Sequence, residues 1–160
     1  IPSICNRFSC LAGPNQWGKA EQGWMTWFAI ANKLQLPIEI YGYNGFQVRD
    51  YLFIDDIYNL IKKQIDNIGK YYGEVFNVGL SNANLSKLEL AEKIKEYVPN
   101  LVIKQDEFKE DFDKRNYIVS NEKVESKGFR PMFSLDFGIK QLVDAYPIII
   151  TNNNRSFTNL

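Results

Sequence analysis

Residues 46–56 read FQVRDYLFIDD, and an arginine set among aromatics there is the first place to look for chemistry. Taken as a strand, the alternation puts Val48, Asp50 and Leu52 on one face and Arg49, Tyr51 and Phe53 on the other. A guanidinium stays charged when desolvated and donates in two directions, which suits a diphosphate. The same spacing also fits a surface ion pair between Arg49 and a nearby carboxylate. Arg115 opens a second alternating run after an acidic loop and reads either as a second phosphate clamp or as solvated loop charge.

Residues 11–23, LAGPNQWGKAEQG, mix glycine, amides and an aromatic, as polar small-molecule sites do. Gln16 and Gln22 have amides able to bind sugar hydroxyls, and Trp17 has a ring able to stack. A helix-entry loop with Trp17 packed on the core accounts for these residues equally well. Cys10, at a strand exit, faces either a site or the core. Tyr58 and Lys62 have the Tyr-x-x-x-Lys spacing that lowers the pKa of a helical phenol, but Tyr58 falls on an apolar helical face and reads as a core tyrosine.

The chain has no histidine. That removes Ser-His-Asp and Cys-His nucleophiles and the commonest zinc ligand. Asp106, Glu107, Glu110, Asp111 and Asp113 lack the glycine turn and ligand alternation of a calcium loop, so no metal site is expected. Neither G-x-G-x-x-G nor a Walker pattern occurs, so no phosphate-cradling glycine loop is expected within the chain.

The elements that position these residues alternate between strand and helix. A strand is expected over 1–9 with a loop after it, a helix over 23–34 ending before Pro37, and strands over 37–41 and 47–53. Ile54, Ile57, Tyr58, Ile61, Ile65 and Ile68 define the inward face of a helix with Asp55 and Asp56 in its first turn and Gly69 at its end. A buried strand follows over 74–79. Ser86 and Glu89 form a capping box, with Leu85 and Leu90 placed as a staple, on a helix that reaches about Val98. A strand over 101–104, an alternating run over 115–119, a short helix capped by Ser120 and closed by Gly128, and a last helix capped by Ser134 and stopped by Pro147 complete the chain.

At 160 residues, 45% hydrophobic and 24% charged, the composition is that of one globular α/β unit over 1–150 with a frayed tail over 151–160. Nineteen basic residues balance nineteen acidic ones, so no global field gathers nucleic acid or an anionic membrane. Apolar runs are too short to span a bilayer, two cysteines are too few for a disulfide framework, and a cytoplasmic setting is the default expectation. The start at Ile1, inside an apolar run, suggests a fragment.

Four blocks, NRFSCLAGPNQWGKAEQGW, IEIYGYNGFQVRDYLFIDDI, GEVFNVGLSNANLSKLELAEKI and KRNYIVSNEKVESKGFRPMFSLDFGI, together resemble the C-terminal half of an extended short-chain dehydrogenase/reductase. More narrowly they resemble NAD-dependent nucleotide-sugar epimerases and dehydratases, nearest to the CDP-paratose 2-epimerase type. The resemblance implies a Rossmann-like fold whose last strands interleave with a smaller substrate-binding subdomain. It also implies NAD bound mainly by an N-terminal Rossmann half, catalytic Ser/Thr, Tyr and Lys upstream of Ile1, and a homodimer in the full protein. Phe8 and Ser9 would border the cofactor; Cys10, where many relatives have Asn, would border the sugar with Gln16 and Gln22. Arg49 and Arg115 would hold the nucleotide diphosphate. The implied reaction is transient oxidation of a sugar carbon and return of the hydride, on a CDP-linked substrate. A 4,6-dehydratase and a non-catalytic nucleotide-sugar or protein-binding module are the alternatives.

Overall fold

A computed structural model gives the architecture, and it describes residues 1–14, 16, 18, 23–41, 46–106, 108–109 and 115–151. Trp17, Gln22, Glu107, Glu110, Asp111, Asp113 and the tail beyond Thr151 lie outside the described residues.

The chain enters as β1 (Cys5–Phe8) and, after one residue, continues as β2 (Cys10–Ala12). The two strands join different sheets. β1 lies parallel to β5 (Val75–Val78), whereas β2 lies parallel to β4 (Val48–Phe53), whose other edge carries β6 (Asn84–Ser86) antiparallel. The expectation of a strand over 1–9 and then a loop is therefore corrected. The run divides at Ser9, whose N–H still donates to the Val78 carbonyl (3.0 Å), and the extended backbone goes on to Ala12. A third parallel pair joins β3 (Ile38–Tyr41) to β7 (Ile103–Asp106), the latter beginning two residues after the expected start at 101.

Helices α1 (Trp24–Lys33), α4 (Lys87–Lys95) and α6 (Leu135–Thr151) pack together over one core. Phe28, Ile30, Ile38, Ile40, Leu90, Ile94, Ile139 and Leu142 are buried in it. Ser86 caps α4 as expected: its Oγ accepts from Glu89 N–H (3.1 Å), and the Glu89 carboxylate accepts from Ser86 N–H (2.7 Å). Ser134 caps α6 through Phe137 N–H (3.1 Å). Pro147 does not stop α6, a correction to the expected end. Proline removes a single backbone donor, and the helix runs on to Thr151.

A second core, built from Leu52, Leu60, Tyr71, Phe76, Val78, Val124 and Phe129, lies between β5, α2 (Ile54–Asp66), α3 (Ile68–Tyr71) and α5 (Glu122–Ser126). Here the expected inward face of α2 is corrected. The helix buries Asp56, Ile57, Leu60 and Gln64, while Tyr58 is 69% exposed and Ile65 68%. Tyr58 is thus not a core tyrosine, and Lys62 pairs with Asp66 (3.2 Å). Polar residues can occupy the inner face because each has a partner. Gln64 and Asn6 exchange amide hydrogen bonds (2.9 Å each), and the Asp56 carboxylate accepts from Met132 N–H (2.7 Å) and Phe133 N–H (3.2 Å). Asn67, not Gly69, ends α2, its backbone and side-chain N–H groups both donating to Lys63 O.

Residues 115–121 belong to no helix or backbone ladder; asparagines hold them instead. Asn116 accepts from Val48 N–H (3.0 Å), Asn84 both donates to Val119 O (3.2 Å) and accepts from Val119 N–H (2.8 Å), and Asn77 donates to Ser120 O (3.3 Å). An amide side chain offers the same donor and acceptor as a peptide group, so these residues substitute for a missing strand partner. The residue flanking α5 is Asn121 rather than Ser120. Its amide is turned away from the helix to donate to Asp50 (3.0 Å).

Candidate binding cleft

β4 carries Arg49 into a cleft of about 310 Å³, at the lower end of the ~300–1,000 Å³ usual for small-molecule sites. Arg49, Tyr51 and Cys10 line it from the paired strands β4 and β2, where Cys10 and Tyr51 are register partners. Gln16, Gly23, Trp24 and Met25 line it from the loop and start of α1, and Arg115 and Tyr117 from the extended segment. Strand alternation delivers Arg49 and Tyr51 to this side and Asp50 to the other, as expected.

Arg49 is buried at 3% exposure, yet its guanidinium is well accommodated. Its Nη1 donates to Val48 O (2.7 Å) and Arg115 O (2.6 Å), and its Cζ lies 4.6 Å from the Tyr117 ring centroid and 5.5 Å from that of Trp24. The buried Lys87 ammonium sits 4.2 Å from the same Trp24 ring. Aromatic faces and carbonyl oxygens stabilise a desolvated cation, and among the described residues none that lines the cleft is acidic.

Two glycines shape the entry. Gly23 adopts φ +71° before α1, and its carbonyl accepts the first helical bond, from Trp27 N–H (2.8 Å). A Cβ on Gly18 would stand 2.3 Å from the Trp27 nitrogen, so only glycine lets that loop pass beneath the helix. The Gln16 carbonyl accepts from Thr26 Oγ1 (2.8 Å), which fixes its amide at the cleft wall. The Tyr51 hydroxyl is buried with no hydrogen-bond partner among the described residues, and burial raises its pKa well above the ordinary phenol value. At the carboxyl end of β1, the Ser9 hydroxyl is likewise buried and unpartnered, and Phe8 is partly exposed.

Behind Arg49, Asp50 accepts from Leu80 N–H (3.0 Å) and the Asn121 amide (3.0 Å). Burial pushes its carboxyl up to about 6 despite those bonds. Gly79 lies so close that a Cβ there would fall 1.5 Å from an Asp50 oxygen. Asp50 therefore ties β4 to the turn after β5 and to the segment that carries Arg115 and Tyr117.

The structure brings four of the sequence candidates to one cleft, Cys10, Gln16, Arg49 and Arg115. Phe8 and Ser9 stand at the adjoining strand end, and Gln22 is not described. Arg115 is solvent-exposed and contributes its backbone carbonyl to Arg49. Sequence reasoning did not single out Trp24, Lys87 or Tyr117, whose partners are distant in sequence. Among the described residues no cluster suited to a metal ion occurs, both cysteines are free, and no helix is long and apolar enough to cross a membrane.

No family model matches the chain. It is 30% identical over 157 residues to CDP-paratose 2-epimerase of Salmonella typhi, across 90% of this chain and 44% of that protein. The UDP-glucose 4-epimerase of Thermotoga maritima superposes with a TM-score of 0.75 at 25% identity, covering 94% of this chain and 47% of its own. The chain has the Rossmann-like α/β fold of the extended short-chain dehydrogenase/reductase epimerases and resembles their C-terminal half. The fold likeness extends to UDP-glucuronic acid 4-epimerase of Bacillus cereus, solved with UDP-glucuronic acid and NAD, at a TM-score of 0.75 and 20% identity over 93% of this chain and 46% of that one. The chain spans about half the length of these relatives, corresponding to the C-terminal half of a short-chain dehydrogenase/reductase.

Proposed function

We propose that the chain is the substrate-gripping half of an NAD-dependent nucleotide-sugar epimerase and that its cleft holds the diphosphate of a CDP-linked sugar. The observation that carries this reading is the buried Arg49 guanidinium, set between the Tyr117 and Trp24 rings in the wall of a cleft that Arg115 also lines. A diphosphate offers oxygens on two sides, matched by Arg49 from the floor and Arg115 from the rim, with the start of α1 adding a favourable dipole. Tyr51, Gln16 and Cys10 form the wall beside the attached sugar, where the unpartnered Tyr51 hydroxyl is free to bond a sugar oxygen. The 30% identity to a CDP-paratose 2-epimerase supports the cytidine assignment.

NAD, when bound, supplies the acceptor and donor of the hydride. Phe8 and Ser9 are the residues of this chain suited to its edge, since the buried Ser9 hydroxyl is an orphan group of the kind a ligand satisfies. Tyr58 and Lys62 take no part, because they lie on α2 away from the cleft. The proton-transfer groups are assigned to the half of the fold that the relatives have and this chain does not span. Remote binding energy from the nucleotide would then orient the sugar for reaction.

The test is turnover by the longer polypeptide that contains this chain, supplied with NAD and a panel of CDP-, UDP- and dTDP-hexoses. Inversion at one sugar carbon of a CDP-hexose, with no net NADH formed, is the expected result. Loss of water from the sugar would make the protein a dehydratase, and absence of reaction with every nucleotide sugar would remove the assignment.

A further inference from the structure

Lys87 stands where a lysine is costly. It is the first residue of α4, so its ammonium adds to the positive end of the helix dipole, and at 3% exposure its charge is largely stripped of water. A leucine or methionine would fill the same turn without either cost. Its position is nevertheless fixed from two directions. Its backbone N–H donates to Gln47 O (3.2 Å), just before β4. The preceding residue, Ser86, caps α4 and is the register partner of Val48 in the antiparallel β4–β6 ladder. The lysine stem is thus rooted beside the strand that carries Arg49, and its ammonium ends 4.2 Å from the Trp24 ring centroid.

Trp24 links that ammonium to the cleft. It opens α1 directly after Gly23, and a side chain on the first residue of a helix has no preceding turn to restrict its rotamers. Contacts of the ring itself must hold it. The contacts run from Tyr117 to Arg49 (4.6 Å), from Arg49 to Trp24 (5.5 Å) and from Trp24 to Lys87, so rings and cations alternate. Indole is the strongest cation–π partner among the aromatic side chains. Trp24 lines the cleft with Arg49 and Tyr117, whereas Lys87 does not itself line it.

We infer that Lys87 is a positioning residue: by holding the Trp24 indole it fixes the Arg49 guanidinium, and so sets how tightly the cleft grips a diphosphate. The inference rests on the diphosphate reading of the cleft given above. Without the ammonium the indole is free to take other rotamers. Arg49 then keeps its Nη1 bonds to Val48 O and Arg115 O but loses a fixed aromatic neighbour. A binding group that must be ordered by the ligand binds it more weakly than one already ordered. The arrangement also gives a reason for a buried lysine in the first turn of α4, where an apolar residue would serve stability better.

The experiment titrates CDP into the 160-residue chain and into four variants: Lys87→Met, Lys87→Arg, Trp24→Leu, and Trp24→Leu with Lys87→Met. Circular dichroism verifies the fold of each. Lys87→Met, which keeps the stem and removes the charge, should weaken CDP binding roughly 10-fold, and Lys87→Arg less than about threefold. In the Trp24→Leu background the Lys87→Met change should alter the affinity less than about twofold, because the ring through which the lysine acts is gone. Without ligand, Lys87→Met should change the tryptophan emission of the wild-type chain but not that of Trp24→Leu. A lysine that merely supported α4 would lower stability and leave CDP binding by the folded chain unchanged. Undiminished CDP binding by Lys87→Met, a loss that persists without Trp24, a loss that Lys87→Arg does not rescue, or failure of Lys87→Met to fold would each overturn the inference. Failure of the wild-type chain to bind CDP strikes the cleft reading instead. The emission comparison then decides whether Lys87 holds the ring, and the same change with and without Trp24 overturns that.

Discussion

The core under α1, α4 and α6 and the core under α2 differ in how completely they are enclosed. In the first, helices close over the β-structure, and Phe28, Ile30, Ala31, Leu90 and Leu142 reach 1% exposure or less. In the second, among the described residues, a two-stranded sheet leaves an apolar flank of α2 and one strand edge uncovered. The cleft is built mainly on the enclosed part, where Arg49 needs fixed aromatic and carbonyl neighbours. Among the described residues α2, β1 and β5 carry none that lines the cleft; Leu11 of β2 both lines it and packs on the second core. The difference teaches that the part of the chain that builds the cleft is closed over by helices, whereas α2 beside the two-stranded sheet keeps apolar side chains exposed.

Breaking the enclosed core should have the largest effect. Phe28→Ala is expected to cost about 3–5 kcal/mol in urea unfolding, since cavity and transfer losses add at a fully buried ring. Gly79→Ala should follow at about 1–3 kcal/mol, because the new methyl would overlap the pinned Asp50 carboxylate. A smaller, pH-dependent effect should come from Asp50 itself. Its carboxyl holds a proton more tightly folded than unfolded, so its contribution to stability falls as pH rises from about 4 to about 6. Asp50→Asn should abolish that fall, which unfolding curves across this range would show as a wild-type-minus-variant difference that declines and then flattens. Ile65→Ser, on the bare flank, should change the stability of the isolated chain by no more than about 0.5 kcal/mol. A cost near that of Phe28→Ala would mean the flank is covered within the chain and would erase the contrast.

The legible parts of the molecule were those encoded by neighbours in sequence. The Ser86–Glu89 capping box, the Ser134 cap and the alternation that sends Arg49 and Tyr51 one way and Asp50 the other all depend on residues at most three apart. The α2 face was misjudged because periodicity shows that a stripe is apolar but not which element covers it. Here the apolar stripe stays exposed, and the inner face holds Asp56 and Gln64 on partners more than fifty residues away. The asparagine supports of residues 115–121 were invisible for the same reason: Asn116 reaches back to Val48, and Asn84 forward to Val119. Trp24 likewise meets Arg49 and Lys87 only in the folded chain.

The most direct measurement is a calorimetric titration of CDP and of cytidine into the wild-type chain and into Arg49→Ala, with far-ultraviolet circular dichroism verifying the fold of each. CDP should bind wild type and cytidine far more weakly, and the variant should lose roughly 100-fold in CDP affinity, as expected for two charge-assisted hydrogen bonds of about 1.5 kcal/mol each. Equal binding of CDP by a folded Arg49→Ala chain, or no preference for CDP over cytidine in wild type, would contradict a diphosphate clamp at this cleft.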